Sequence, residues 1–280
     1  MMSLANVVSY HAAGLMRQLS PKLYWRREIR RMHNREYQHE YEQRLVTFLC
    51  DRDRLSIDVG ASVGEYSVIL CSASTHVFAF EPRPALAALL REMAEVCALP
   101  LDVKAVALSN EAGMARLRVP TMDGGRATIE SANDLEDRDE SPYLETSVPT
   151  ACLDEYDFKN VGFIKIDVEG HELAVLQGAY NTIRCSMPTL LVEIEERHRP
   201  NSIEDVSQFL FSLGYEGFFI LNDGVFNILA FDKNFHQNTS NISGWKSNYA
   251  KKGIYVNNFI WLPQGNEERI RTAIEKTKRL

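Results

Sequence analysis

The sequence of 280 residues has no uninterrupted apolar run on the order of 18 residues, the length a membrane-spanning helix needs, so no transmembrane segment is expected. Cysteine is scarce and scattered. The five residues, Cys50, Cys71, Cys97, Cys152 and Cys185, include no C-x-x-C pair. An odd number at such spacing in a chain of this size argues against a disulfide framework or a Cys/His metal site, and reads as reduced thiols. Net positive charge is also missing: 31 Lys and Arg stand against 38 Asp and Glu, for a formal net charge of -7. Such a surface repels phosphate backbones, and no nucleic-acid partner is expected unless a local basic patch overrides it. The opening stretch MMSLANVVSYHAAGLMRQL has no basic leader ahead of its apolar residues and does not read as a secretory signal, which makes the cytoplasm the expected compartment. The sequons at Asn238 and Asn241 then read as loop composition. Internal repeats and low-complexity tracts are absent as well.

What is present is the rhythm of an α/β domain. A hydrophobic content of 45% is enough for one large core with small additions. Residues 1–50 read as an N-terminal helical extension, with an arginine-rich stretch from Arg26 to Arg35; it serves either as a solvated cap or as a surface for a partner, a second copy or a membrane face. From Leu55, short apolar strands alternate with helical stretches: LSIDVG, EYSVILCSAS, HVFAFEP, PALAALLREMAEVC and LDVKAVAL. That alternation predicts right-handed βαβ units and a parallel sheet. A polar, acidic stretch over 120–146 interrupts it and reads as an inserted loop, a lid over a substrate or a plain surface insertion, with Arg126 and Thr128 as potential contacts. GFIKIDVEG, HELAVLQGAYNTI and PTLLVEIEE restore the pattern as strand, helix and strand. After VSQFLFSLGYEGFFIL, the segments VFNILAFD and IYVNNFIWLP are two strands with no helix between them, which predicts antiparallel pairing. The domain is expected to span 51–265, and 266–280 to form a helical tail.

Two constellations carry chemistry. The first is Asp58-Val59-Gly60-Ala61-Ser62-Val63-Gly64. Gly60 permits a tight turn off the strand, Gly64 a close approach of ligand to backbone, and the following helix offers free N–H groups. About twenty residues on, Glu81 closes the second strand, where a carboxylate can accept both ribose hydroxyls of an adenosine. A dinucleotide site wants G-x-G-x-x-G, and Ser62 stands at the second glycine. The loop therefore suits S-adenosylmethionine, whose amino-acid tail reaches back so that Asp58 can meet its ammonium. The second constellation is Lys165-Ile166-Asp167-Val168-Glu169-Gly170-His171-Glu172, at the carboxyl end of the fourth strand, with Glu193, Glu195 and His198 following the fifth. Open α/β sheets bind ligands outside those strand ends, though strand-end carboxylates also serve simply as helix caps.

These residues resemble the FkbM family of methyltransferases over roughly Leu55 to Pro263. The likeness rests on IDVGASVGEYS, FAFEPRP, VALSNEAG, TACLDEY, FIKIDVEGHELAVLQGA, LLVEIEE and NNFIWLP. Ser62 and His171 depart from residues common in that family. The resemblance implies a doubly wound, Rossmann-like class I methyltransferase fold with a seven-stranded, mostly parallel sheet and an antiparallel last strand. It implies S-adenosylmethionine as donor and O-methylation of a sugar, glycan or polyketide-like hydroxyl. By position, Asp58, Gly60, Ala61, Gly64, Tyr66 and Glu81 would surround the cofactor, Val106 and Ala107 would lie near the adenine, and Asp167 near the methionine end.

An aliphatic hydroxyl is a poor nucleophile, so a general base is expected: Glu169, then Glu193, then His198. Asp167, Glu169 and Glu193 would alternatively offer hard oxygens to Mg²⁺. Two rival functions share parts of the pattern. An NAD-dependent oxidoreductase has the glycine loop but leaves KIDVEG without a role. A non-catalytic binding protein could retain the fold.

Overall fold

The computed structural model describes residues 14–38, 40–121, 124–135, 143–242 and 253–279. The expected helical extension therefore falls outside the described residues over 1–13, as does the inserted loop over 122–123 and 136–142. In chain order the elements that position the site are α1 (Pro21–His33), β1 (Leu55–Val59), α2 (Glu65–Cys71), β2 (Val77–Phe80), α3 (Pro84–Cys97), β3 (Leu101–Lys104), β4 (Ala107–Leu108), β5 (Gly113–Pro120) and β6 (Tyr143–Ala151). They continue with β7 (Val161–Ile166), α4 (Glu172–Gly178), α5 (Tyr180–Ser186), β8 (Thr189–Glu193), α6 (Ser202–Ser212), β9 (Tyr215–Leu221), β10 (Gly224–Asn227), β11 (Asn258–Pro263) and α7 (Glu268–Lys278).

The main sheet has the order β10-β9-β11-β8-β7-β1-β2-β3. β3, β2, β1, β7 and β8 run parallel, and β11 is inserted antiparallel between β8 and β9. This is the α/β fold the sequence implies, with its reversed strand, plus one strand more than expected. The addition is β10, which pairs antiparallel with β9 across a two-residue turn, Asn222-Asp223, both with φ positive (50° and 62°). Asn and Asp tolerate that conformation, and such turns match the twist of a hairpin. The segment after β10 is not a continuous strand: a short helical turn, Lys233–His236, precedes β11.

Central strands are buried on both faces, so they read as apolar runs rather than alternations. β7 is buried throughout, including Lys165. One face of the sheet is covered by α2 and α3 with α1 and α7, since Trp25, Met32, Leu45, Leu49, Ile270 and Ile274 share a core with Val68, Leu90 and Met93. Polar ties fix the same contact: Arg17 Nε and Trp25 Nε1 donate to Glu92 (3.0 and 2.9 Å), and Arg35 donates to the Thr277 carbonyl at 2.9 Å. The N-terminal and C-terminal additions are thus packed on the domain rather than hung from it. The other face is covered by α4, α5 and α6.

Three local departures have physical causes. The stretch LDVKAVAL is not one strand: β3 ends at Lys104, and β4 leaves the main sheet to pair with β6. At the two ends of the interruption, 120 and 143–146 belong to an antiparallel pair, β5 with β6, in a second sheet of order β4-β6-β5. HELAVLQGAYNTI breaks into α4 and α5 at Ala179 (φ -108°). There the Asp154 carboxylate accepts the N–H groups of Asn181 and Thr182, both at 2.8 Å, and caps the second helix from outside.

Candidate active site

The chain leaves β1 outward to β2 and β3, then returns to β7 on the other side of β1. The strand order reverses between β1 and β7, and a crevice opens at the carboxyl edge of that point. It is a cavity of about 740 Å³.

On the β1–β2 side the turn after β1 has three left-handed residues, Gly60, Ser62 and Gly64 (φ 83°, 50° and 88°). A Cβ on Gly60 would lie 1.8 Å from the Asp167 carbonyl oxygen, so the turn presses directly against the end of β7. Gly64 has a different partner: a Cβ there would meet Leu90 Cδ2 at 2.5 Å. It seats α2 against α3 and is not among the residues lining the cavity. Glu81 is 1% exposed and holds the turn closed. Its carboxylate accepts the Ser62 N–H at 2.8 Å, the Arg83 N–H at 2.9 Å and Arg83 Nε at 2.6 Å. Asp58 lines the cavity, accepts the Ser67 hydroxyl at 2.5 Å, and is pushed up to about 6 by burial. Ala61, Val106 and Ala107 line the cavity with apolar surface.

On the β7–β8 side carboxylates crowd together. Lys165 Nζ lies 4.0 Å from Asp167 and 3.7 Å from Glu193, 5.0 Å from the Tyr66 ring centre, and donates to Asn258 Oδ1 at 3.2 Å. Burial alone would lower its pKa, but the surrounding carboxylates of Asp167, Glu193, Glu40 and Asp58 raise it, so the ammonium is fixed. Asp167 and Glu193 are both raised, first by burial and then by neighbouring negative charge. Glu169 is raised well above the usual carboxylate range by burial, with Asp167 and Glu195 adding to it. Its Oε2 lies 3.1 Å from His198 Nε2. Its backbone is left-handed (φ 56°), and its carbonyl accepts Thr128 Oγ1 at 2.9 Å and Asn133 Nδ2 at 2.8 Å. The described part of the inserted segment is therefore stapled over Glu169. Glu195 behaves oppositely. Burial would raise it, but Arg197, His198 and the Tyr255 hydroxyl hold it at about 2.

Of the twelve site residues expected from sequence, ten line this one cavity; Gly64 and His198 do not. His198 is 2% exposed and stands behind Glu169, so it faces the carboxylate rather than a substrate. Asp167, Glu169 and Glu193 do not converge as a hard-oxygen set. Lys165 is the shared cation of the first and last, Glu169 turns toward His198, and among the described residues no group of three or more His, Cys, Asp or Glu side chains could hold a metal ion. Lys165, Arg83 and Glu40 enter the site without having been expected there. A lysine inside the apolar run GFIKI was a usable signal, because such a charge must find partners when buried. Glu40 gave none.

The Methyltransferase FkbM domain matches residues 58–216. The chain belongs to the FkbM methyltransferase family. Among curated proteins, the chain is similar to the hexuronic acid methyltransferase AglP of Haloferax volcanii, with 26% identity over 161 residues, which is 57% of this chain and 64% of that protein. Among solved structures it is similar to the methyltransferase FkbM of Methylobacillus flagellatus KT, at 15% identity and a TM-score of 0.46, covering 75% of this chain and 43% of that one. It is also similar to an S-adenosylmethionine-dependent O-methyltransferase of Thermotoga maritima, at 10% identity and a TM-score of 0.40, covering 79% and 64%. This FkbM chain thus spans less than two thirds of the length of each of these three proteins. No helix of the described residues is long and apolar enough to cross a membrane.

Proposed function

We propose that this chain transfers a methyl group from S-adenosylmethionine to a hydroxyl oxygen of a sugar or glycan. The observation that carries the reading is the joining, in one cavity, of an adenosine-type wall to a carboxyl of raised pKa. Glu81, Gly60 and Ala61 stand on one side with the apolar surface of Val106 and Ala107, and Glu169 on the other. The similarity to a hexuronic acid methyltransferase supports the sugar class of acceptor. A polyketide-like alcohol has no comparable support.

The residues fit the cofactor. Glu81 supplies paired oxygens at the end of β2 for a ribose diol, and a neighbouring arginine that already donates to it can swing aside or remain as a cover. A dinucleotide fits less well, because the Ser62 N–H that would face a pyrophosphate is given to Glu81 and Gly64 is packed on Leu90. When bound, the sulfonium supplies an activated methyl electrophile. The chain's own task is to align an oxygen and take its proton. Glu169 is assigned as the base: burial makes its carboxylate a stronger proton acceptor than an exposed glutamate, and Arg197 and Arg126 keep the ionised form accessible. His198 is a positioning residue, holding the Glu169 carboxylate from behind. Glu193, shared between Lys165 and the Asn257 side chain, is assigned to orienting that wall.

Calorimetry with S-adenosylhomocysteine against NADH, followed by methyl transfer from labelled donor to a panel of uronic and neutral sugars, tests the reading. Binding of the first ligand only, with label on oxygen, is expected. Binding of NADH only would overturn it.

A further inference from the structure

Glu40 and Gln43 lie outside the family match yet line the cavity. Glu40 accepts the Tyr66 hydroxyl, placing its carboxylate at the hydroxyl end of the ring whose face Lys165 approaches. Gln43 is 3% exposed; its amide nitrogen donates to Glu65 at 3.2 Å, and its carbonyl oxygen is buried without a donor. An orphaned buried acceptor costs roughly the desolvation of that group, so a bound donor there would recover it. The local charge points the same way. Glu40 acts as a like charge on both Asp167 and Glu193, with one buried lysine among them, and a cation beside Glu40 would offset that charge. Asp58, the residue first suited by sequence to an ammonium, lines the cavity but is 2% exposed and already engaged by Ser67.

We propose that the N-terminal extension completes the cofactor pocket, with the Glu40 carboxylate and the Gln43 carbonyl oxygen receiving the α-ammonium of the cofactor's methionine tail. This inference rests on the S-adenosylmethionine reading and assigns one end of that same site. An ammonium has three donors in a tetrahedral array, and a carboxylate with a neighbouring amide oxygen supplies acceptors for two of them.

The test compares two ligands on the full chain by calorimetry: S-adenosylhomocysteine, which carries the tail, and methylthioadenosine, which lacks it. Glu40→Gln is expected to weaken the first roughly 10- to 100-fold and the second less than about twofold, as for loss of a charge-assisted bond. Gln43→Leu, close in volume, is expected to move the same ratio by roughly threefold to tenfold. Glu40→Asp should recover part of the loss. Equal weakening of both ligands, or of neither, overturns the inference, because a residue that merely props Tyr66 has no reason to distinguish them. Wild-type protein that binds neither ligand overturns the adenosyl reading itself, and this assignment with it.

Discussion

The two sides of the cavity bury carboxylates in opposite ways. At the β1–β2 edge, Glu81 is surrounded by donors: two backbone N–H groups and two guanidinium nitrogens of Arg83. At the β7–β8 edge, Glu169 stands beside His198 and near both acids and arginines, and its pKa rises well above the ordinary range through burial and the charges of Asp167 and Glu195. One carboxylate is thus held by donors, and the other is a group of raised pKa suited to proton exchange. Which partners fold against the carboxylate decides the outcome.

The sharpest way to break this contrast is to make the exchanging side incapable of exchange. Glu169→Gln preserves shape and removes the base. Turnover is expected to fall roughly 10²- to 10⁴-fold while affinity for S-adenosylhomocysteine stays within a factor of about two. The same base gives the rate a sign: kcat should rise with pH through the raised pKa of Glu169, since only the ionised form accepts the proton. A flat profile, or an unaffected turnover in the variant, would shift the role to Glu193.

Stability against pH sharpens the contrast next. Glu172 is pushed up to about 7 and Asp58 to about 6, both chiefly by burial. A carboxyl whose folded pKa is raised adds stability that is complete below its unfolded pKa and is lost as pH rises through the folded value. Glu195, held at about 2, does the reverse: its contribution is present above the unfolded value and disappears as pH falls. Through these groups the ligand-free protein should be most stable near pH 4 and lose on the order of 3 kcal/mol per raised group by pH 8. Asp58→Asn should flatten that decline in denaturant melts at pH 5, 6.5 and 8. An unchanged decline in the variant would show that Asp58 is ionised in the folded state throughout.

How much of this contrast could be read from the sequence depends on whether its cause is local. The turn Gly60–Gly64 and Glu81 were legible because tight backbone geometry and a strand-end acid leave a spacing signature. Ten of the expected residues meet in one cavity, among them Tyr66, Val106 and Ala107, which only the family resemblance implied. At Gly64, ligand approach and helix packing demand the same small residue, so its packing on Leu90 left no separate signature in the sequence. The β5–β6 sheet was illegible because β6 is exposed along most of its length and shows no apolar alternation. The break between α4 and α5 depends on Asp154, which sits well upstream in the chain. Glu40 and Arg83 enter the site through contacts that no spacing encodes.

The donor-rich side makes the next test. Glu81→Ala removes the acceptor of four hydrogen bonds and leaves Arg83 and the Ser62 N–H without it. Affinity for S-adenosylhomocysteine is expected to drop roughly 10- to 100-fold, the range of one or two charge-assisted bonds. The pH profile of kcat should keep its shape, because the proton-exchanging side is untouched. A changed profile with unchanged affinity would invert the division of labour between the two sides.

The smallest effect is expected where the inserted segment meets the sheet. His171 Nε2 lies 2.9 Å from the Ser109 hydroxyl, and Nδ1 lies 3.1 Å from Glu130, whose carboxyl is lowered chiefly by that hydrogen bond. The imidazole thus ties the inserted segment to the end of β4, while Thr128 and Asn133 tie it to Glu169. Because two of these ties survive in His171→Ala, the loss should be about 1 kcal/mol, seen as faster proteolysis within 124–135. If the segment positions the acceptor, KM for the sugar should rise a few-fold with cofactor affinity unchanged. An equal rise in both would mean that the segment orders the whole cavity, and that its two sides are less independent than their electrostatics imply.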